Sequence, residues 1–168
     1  GKTTVTQLTT EILKQCFSVS TTLGNYNNDI GLPLSILKSP EQNYQRCVYE
    51  LGASKKNDIS YLVDICEPNM TALLNVSEAH MESFGSFETL MSTKEEIFSH
   101  LKTDQVVLNK DDKHFARWKK MNMSKKITTI SKLSKADYYF EKIDDEFFYI
   151  STPKGKFELS RKNSSKVL

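Results

Sequence analysis

The sequence predicts an α/β fold: a mostly parallel sheet flanked by helices, followed by a C-terminal antiparallel β-hairpin region. Three observations predict it. Between residues 4 and 130, helix-spaced and β-prone segments alternate, and alternation is accommodated by a parallel sheet with right-handed crossovers. From residue 138 the runs are short, aromatic and β-prone, separated by Asp-Asp and Pro-Lys-Gly turns, as in successive hairpins. The chain opens on Gly1-Lys2-Thr3 immediately before a helix, which is the end of a G-x-x-x-x-G-K-[ST] phosphate loop and makes the expected sheet one of the P-loop type.

Residues 4–15 read as a helix because Val5, Leu8, Ile12 and Leu13 recur at helical spacing. Residues 17–22 are a short β-prone run, and TLGNYNNDIGLP after them is a polar loop with Pro33 near its end. LPLSILK starts a short helix or turn. RCVYEL (46–51) reads as a buried, central strand and GASKKND as a turn. A helix over 59–65 stops before Pro68, since the residues leading into a proline are pushed out of the helical region. TALLNV (71–76) is a strand, SEAHMESFGS a loop, and 87–101 a long helix with apolar residues three or four apart. QVVLN (105–109) and KITTI (126–130) are strands on either side of a helix over 112–120. The hairpin strands are expected at 138–143, 146–152 and 156–159. No internal repeat or low-complexity linker interrupts the pattern.

With 168 residues, 38% hydrophobic and 26% charged, the chain is long enough for one domain with a real core and has ordinary soluble composition. A net charge of +2 points to no nucleic-acid partner and no membrane surface, and the basic run at the C-terminal end reads as solvated surface. Cys16, Cys47 and Cys66 are too few and too scattered for a disulfide framework or a zinc site, which fits a reducing cytoplasm. Cys47 and Cys66 lie in apolar runs and are expected to be buried. No apolar run is long enough to span a bilayer, and no signal peptide is visible.

Five places carry chemistry. At Gly1–Thr4 a genuine phosphate loop would aim backbone N–H groups and the positive helix end at phosphates, with Lys2 on the β- and γ-phosphates and the Thr3 hydroxyl on Mg²⁺. The tripeptide alone is a weak signal, and on it an ordinary helix N-terminus is the favoured reading. Glu50 follows an apolar run at the carboxyl end of a strand, where open α/β sheets place their ligands, so it is either a metal-holding carboxylate or a strand-end group facing water. His80 sits in a loop past the next strand, and a single loop histidine is more often a surface or packing residue than a ligand. Lys94, flanked by Glu95 and Glu96, reads as a solvated helix face with local ion pairs. The loop with Asn25, Asn27, Asn28 and Asp29 between two glycines either makes tight turns or binds a sugar or pyrophosphate. Three polar elements on one sheet edge carry more weight together than singly.

The segments GKTT, TLGNYNNDIGLPLSIL, YELGASKKNDISYLVDICEPNMTALLNVSEAHMESFGS, TKEEIF and VVLNKDD, in this order and spacing, resemble the Mur ligases, specifically the branch that adds D-alanyl-D-alanine. The resemblance covers Gly1 to about Asp112; the remainder is less distinctive. It implies an ATP-dependent amide ligase of cytoplasmic peptidoglycan synthesis. UDP-N-acetylmuramoyl tripeptide and D-Ala-D-Ala would be the substrates, ATP and Mg²⁺ the cofactors, and a family-like monomer the expected state. It further implies that Gly1, Lys2, Thr3 and Thr4 bind ATP, that Thr3, Glu50, His80 and Lys94 serve Mg²⁺, and that Lys2, His80 and Lys94 act in catalysis. Lys94 would be carbamoylated, and Asn25 and Asn28 would face the UDP-sugar substrate. Residues 1–168 would be part of the central ATP-binding domain, cut within the phosphate loop and inactive alone, with the UDP-binding N-terminal and the C-terminal domains lying outside them. The competing readings are another ligase of the superfamily, such as a folylpolyglutamate synthase or the diaminopimelate-adding branch, and a non-catalytic nucleotide- or muropeptide-binding remnant.

Overall fold

Helix α1 (Lys2–Lys14) begins the computed structural model, which describes residues 1–38, 43–77, 81–142 and 147–160. Two compact units form: residues 1–68 with 77–100, and residues 69–76 with 101–168.

In the first unit, α1 packs on β1 (Val19–Thr21) and β2 (Arg46–Val48), which pair in parallel with Val19 opposite Arg46. A bond between the Thr10 and Thr21 hydroxyls, 3.0 Å, fixes the helix to the strand. Helix α2 (Gly31–Leu37) carries Pro33 in its first turn, where the missing N–H costs nothing. Gly31 is required there, because a Cβ would lie 2.5 Å from the Tyr26 Cα. Helix α3 (Asp58–Cys66) ends at Glu67 in the left-handed region, one residue before Pro68. It buries Ile59, Leu62 and Val63 and packs against α5 (Phe87–Glu95) and the 3-10 turn Glu96–Phe98. Ser86 caps α5 by accepting from the Thr89 N–H at 3.1 Å.

The second unit is built on one six-stranded sheet in the order β3 (Met70–Leu73), β4 (Gln105–Asn109), β5 (Lys126–Ser131), β6 (Tyr138–Lys142), β7 (Phe147–Thr152), β8 (Gly155–Ser160). The first four strands are parallel and the last three form the antiparallel meander. Helix α6 (Phe115–Met121) packs on β4 and buries Trp118, while Val106 and Leu108 of β4 are fully buried. At the β7–β8 turn, Gly155 has φ +138°, a conformation an L side chain resists.

The predicted fold class holds, with local differences. RCVYEL is not a buried central strand: β2 is three residues long and pairs only with β1 among the described residues. Its Arg46 and Cys47 are exposed, so Cys47 is not the buried residue expected, and Cys66 is half-buried. The helix expected over 87–101 tightens into a 3-10 turn after Glu95, and Leu101 is 99% exposed. Within the segment expected to be a loop, Met81–Phe84 forms one helical turn, α4. The expected strand ends at residues 143 and 146, and residues 161–168 of the basic run, lie outside the described residues.

Candidate functional site

All the described candidate residues belong to the first unit. Helix α1 starts at Lys2 with Gly1 as its cap; no side chain caps it and no acidic residue stands in its first turn. The first-turn N–H groups therefore have no competing side-chain anion, and Lys2, Thr3 and Thr4 are exposed beside them. Lys2 reaches across to the segment after β2: its Nζ donates to the Leu51 carbonyl at 3.1 Å and lies 3.9 Å from Glu50 Oε1.

Glu50 does not face water. It lies two residues past the end of β2 and is 6% exposed. Its backbone N–H donates to Thr22 Oγ1 at 2.8 Å, which holds the strand end in place. Its Oε1 accepts from Asn27 Nδ2 at 2.7 Å. A buried carboxylate costs several kcal/mol unless it is paired, and one amide donor plus a distant ammonium is a thin set of partners for it. That imbalance suits a cation ligand, so the residues present fit Mg²⁺.

The asparagine loop divides its work. Asn28 turns inward on its own chain: its side-chain oxygen accepts from the Gly31 N–H at 2.8 Å and opens α2. Asn25 is exposed, its carbonyl accepting from the Asn27 N–H at 2.8 Å. Asn27, singled out in the sequence only as one of four, is the member that reaches Glu50.

Lys94 is not on a solvated face. It is half-buried, its ammonium 5.8 Å from the Phe84 ring centre. Burial, then the nearby Lys2 cation, push its pKa down; Asp58 and Glu96 pull the other way without prevailing. Among the described residues Lys94 makes no ion pair with Glu96, whose carboxylate is used elsewhere. Glu95 is buried, and Glu96 accepts from the backbone N–H groups of Asn57 at 2.9 Å and Ser60 at 3.0 Å. Glu96 thus caps α3, whose own cap residue, Asn57, makes no side-chain bond. Sequence reasoning missed this role, because the partner amides lie 36 and 39 positions away. His80 lies outside the described residues, and among these no group of three or more His, Cys, Asp or Glu side chains is gathered.

Over residues 1–163 the sequence matches the Mur ligase middle domain. The chain belongs to the Mur ligase family. It is 34% identical over 167 residues to the UDP-N-acetylmuramoyl-tripeptide–D-alanyl-D-alanine ligase of Buchnera aphidicola, covering 95% of this chain and 36% of that protein. Among solved structures it is similar to MurF from Acinetobacter baumannii, with a TM-score of 0.86 and 27% identity over 95% of this chain and 36% of that one. It is also similar to MurF ligase from Thermotoga maritima in complex with ADP, with a TM-score of 0.80 and 30% identity over 95% and 38%. The chain thus spans little more than a third of the length of these Mur ligases.

Proposed function

We propose that residues 1–168 form the central ATP-binding domain of a MurF-type ligase, which joins D-Ala-D-Ala to a UDP-N-acetylmuramoyl tripeptide in cytoplasmic peptidoglycan synthesis. The observation that carries this reading is the buried Glu50 carboxylate beside Lys2 at the uncapped start of α1. Phosphate and metal chemistry meet at such a place.

In the reaction, a tripeptide carboxylate oxygen attacks the γ-phosphorus of ATP and ADP leaves, giving an acyl phosphate. The amine of D-Ala-D-Ala then attacks the acyl carbon, phosphate departs, and the amine loses a proton. Phosphoryl transfer is mostly a matter of positioning and charge stabilisation. The first-turn N–H groups of α1 and the Lys2 ammonium supply positive charge for the β- and γ-phosphates. Glu50, with Thr3, would hold Mg²⁺, and His80 is a further proposed ligand. When bound, the ion would neutralise phosphate charge and let two polyanions approach. Lys94 would take up CO₂ through its neutral amine, forming an N–C bond and releasing a proton, which turns a cation into an anion. Its half-burial beside Lys2 disfavours the charged amine and supports this. Asn25 and the free amide N–H₂ of Asn28 would face the UDP-sugar substrate.

The test is phosphate release by the full-length chain. It is expected to require both UDP-muramoyl tripeptide and D-Ala-D-Ala, and to be lost in Lys94→Ala. Full activity of Lys94→Ala, insensitive to bicarbonate, would remove the carbamate from the scheme. Nucleotide binding that ignores Mg²⁺ would replace the ligase by a binding module.

A further inference from the structure

The Glu50 carboxylate is held by a residue that nothing in the proposed reaction requires. Asn27 Nδ2 donates to Glu50 Oε1 at 2.7 Å. Asn27 is in turn held by its own backbone: its carbonyl accepts from the Gly52 N–H at 2.7 Å, and its N–H donates to the Asn25 carbonyl at 2.8 Å. Gly52 fits this arrangement because it lacks a side chain. A Cβ there would lie 2.6 Å from Asn27 Oδ1 and 2.9 Å from Asn27 Cγ. The amide is therefore wedged over Gly52 with its donor end turned to the carboxylate.

We propose that Asn27 is a positioning residue for Glu50: its amide occupies one carboxylate oxygen and turns the other toward the cation, while Gly52 leaves the space in which the amide sits. Among the described residues no donor reaches Oε2, which is the oxygen left for a metal. The same loop carries Asn25 and Asn28, so residues proposed to face the sugar nucleotide and the carboxylate proposed to hold Mg²⁺ form one hydrogen-bonded piece. This rests on the reading of Glu50 as a metal ligand. Groups that orient a metal ligand typically matter 10–100-fold in metal affinity, although they never touch the ion.

The experiment is a Mn²⁺ titration, read by the electron paramagnetic resonance of free Mn²⁺, on the full-length chain saturated with ADP. Wild type, Glu50→Gln, Asn27→Ala and Gly52→Ala are compared. Asn27→Ala is expected to weaken Mn²⁺ binding about 10–100-fold, while ADP binding measured by calorimetry in chelator stays within about twofold. Gly52→Ala, whose added Cβ would meet Asn27 Oδ1 and Cγ, is expected to do the same by displacing the amide, and it decides the matter if Asn27→Ala does not fold. Thermal midpoints that fall while Mn²⁺ affinity stays at the wild-type value in both variants would make Asn27 merely structural and overturn the proposal. If Glu50→Gln alone loses Mn²⁺, the metal site stands and the positioning role fails. If Glu50→Gln binds Mn²⁺ as wild type does, the metal-site reading itself fails and the positioning role with it.

Discussion

Glu50 in the first unit and Glu141 in the second show how differently one side chain can be used. Glu50 is 6% exposed and receives one amide donor. Glu141 stands on the open antiparallel sheet, accepting from Ser151 at 2.9 Å and Lys156 at 2.7 Å. Two aspartates of the second unit, Asp137 and Asp111, follow Glu141. Asp137 accepts from both the N–H and the hydroxyl of Thr129, and Asp111 from Ser131 and Lys132. A carboxylate that water and several local donors already satisfy staples a turn or a ladder. A carboxylate removed from water and given too few donors is paid for by what it binds.

If that contrast is right, the two units should fail in different ways. The largest effect is expected from Leu108→Ala, which empties a fully buried position on β4, a strand paired on both sides. A loss of about 2–5 kcal/mol of stability is expected. Denaturant unfolding of the full-length chain checks it, and a loss under about 1 kcal/mol would mean that the second unit does not depend on this core. Glu50→Gln should do the reverse. Ligation should drop by about 10²–10³-fold, equivalent to about 2.7–4 kcal/mol of transition-state stabilisation, with little change in melting. Glu141→Gln should leave ligation unchanged. If the two glutamines gave similar rates, the contrast between the carboxylates would be false.

A smaller effect is expected at Glu96, which sharpens the contrast because it is a structural carboxylate inside the functional unit. Glu96→Ala exposes the first-turn amides of α3, and removing a helix cap costs about 0.5–2 kcal/mol. Hydrogen exchange should quicken first at the Asn57 and Ser60 amides. Unchanged protection there would show that another group caps the helix.

What the sequence made legible follows from the range of the forces involved. Alternating periodicity located most elements, since a helix or strand is encoded by near neighbours, and the Pro68 stop and the Thr152–Gly155 turn were readable for the same reason. Gly1-Lys2-Thr3 and Glu50 could be singled out because their chemistry sits at a helix start or a strand end. Lys94 and Glu96 were misjudged on local grounds. Adjacent opposite charges suggest ion pairs, but the amides that claim Glu96 come from a helix more than thirty positions earlier. Asn27 was hidden in the same way: four similar side chains in one loop give no sign of which one reaches a residue 23 positions on. Cys47 was misplaced because an apolar run says nothing of whether another element will cover it.

The smallest predicted effect is a pH dependence confined to the meander. Hydrogen bonds from Lys156, Tyr139 and Ser151 hold the Glu141 carboxyl down at about 2, against an ordinary 4.5. The folded state therefore binds this proton less readily than the unfolded chain, so the pair stabilises above about pH 4.5 and its contribution is lost as pH falls toward 2. Lys156 is shifted upward, first by its bond to Glu141, so its share is intact through neutral pH and is lost only in alkali as pH rises through its folded-state value. Because both groups are open to solvent, the effect should be slight and should shrink further in 1 M salt. Hydrogen exchange of β7 and β8 amides between pH 5 and 2.5, corrected for intrinsic rates, should show protection declining in wild type more than in Glu141→Gln. Equal slopes in the two proteins would mean that Glu141 contributes nothing to holding β6, β7 and β8 together, and that donors alone do not make an exposed carboxylate a staple.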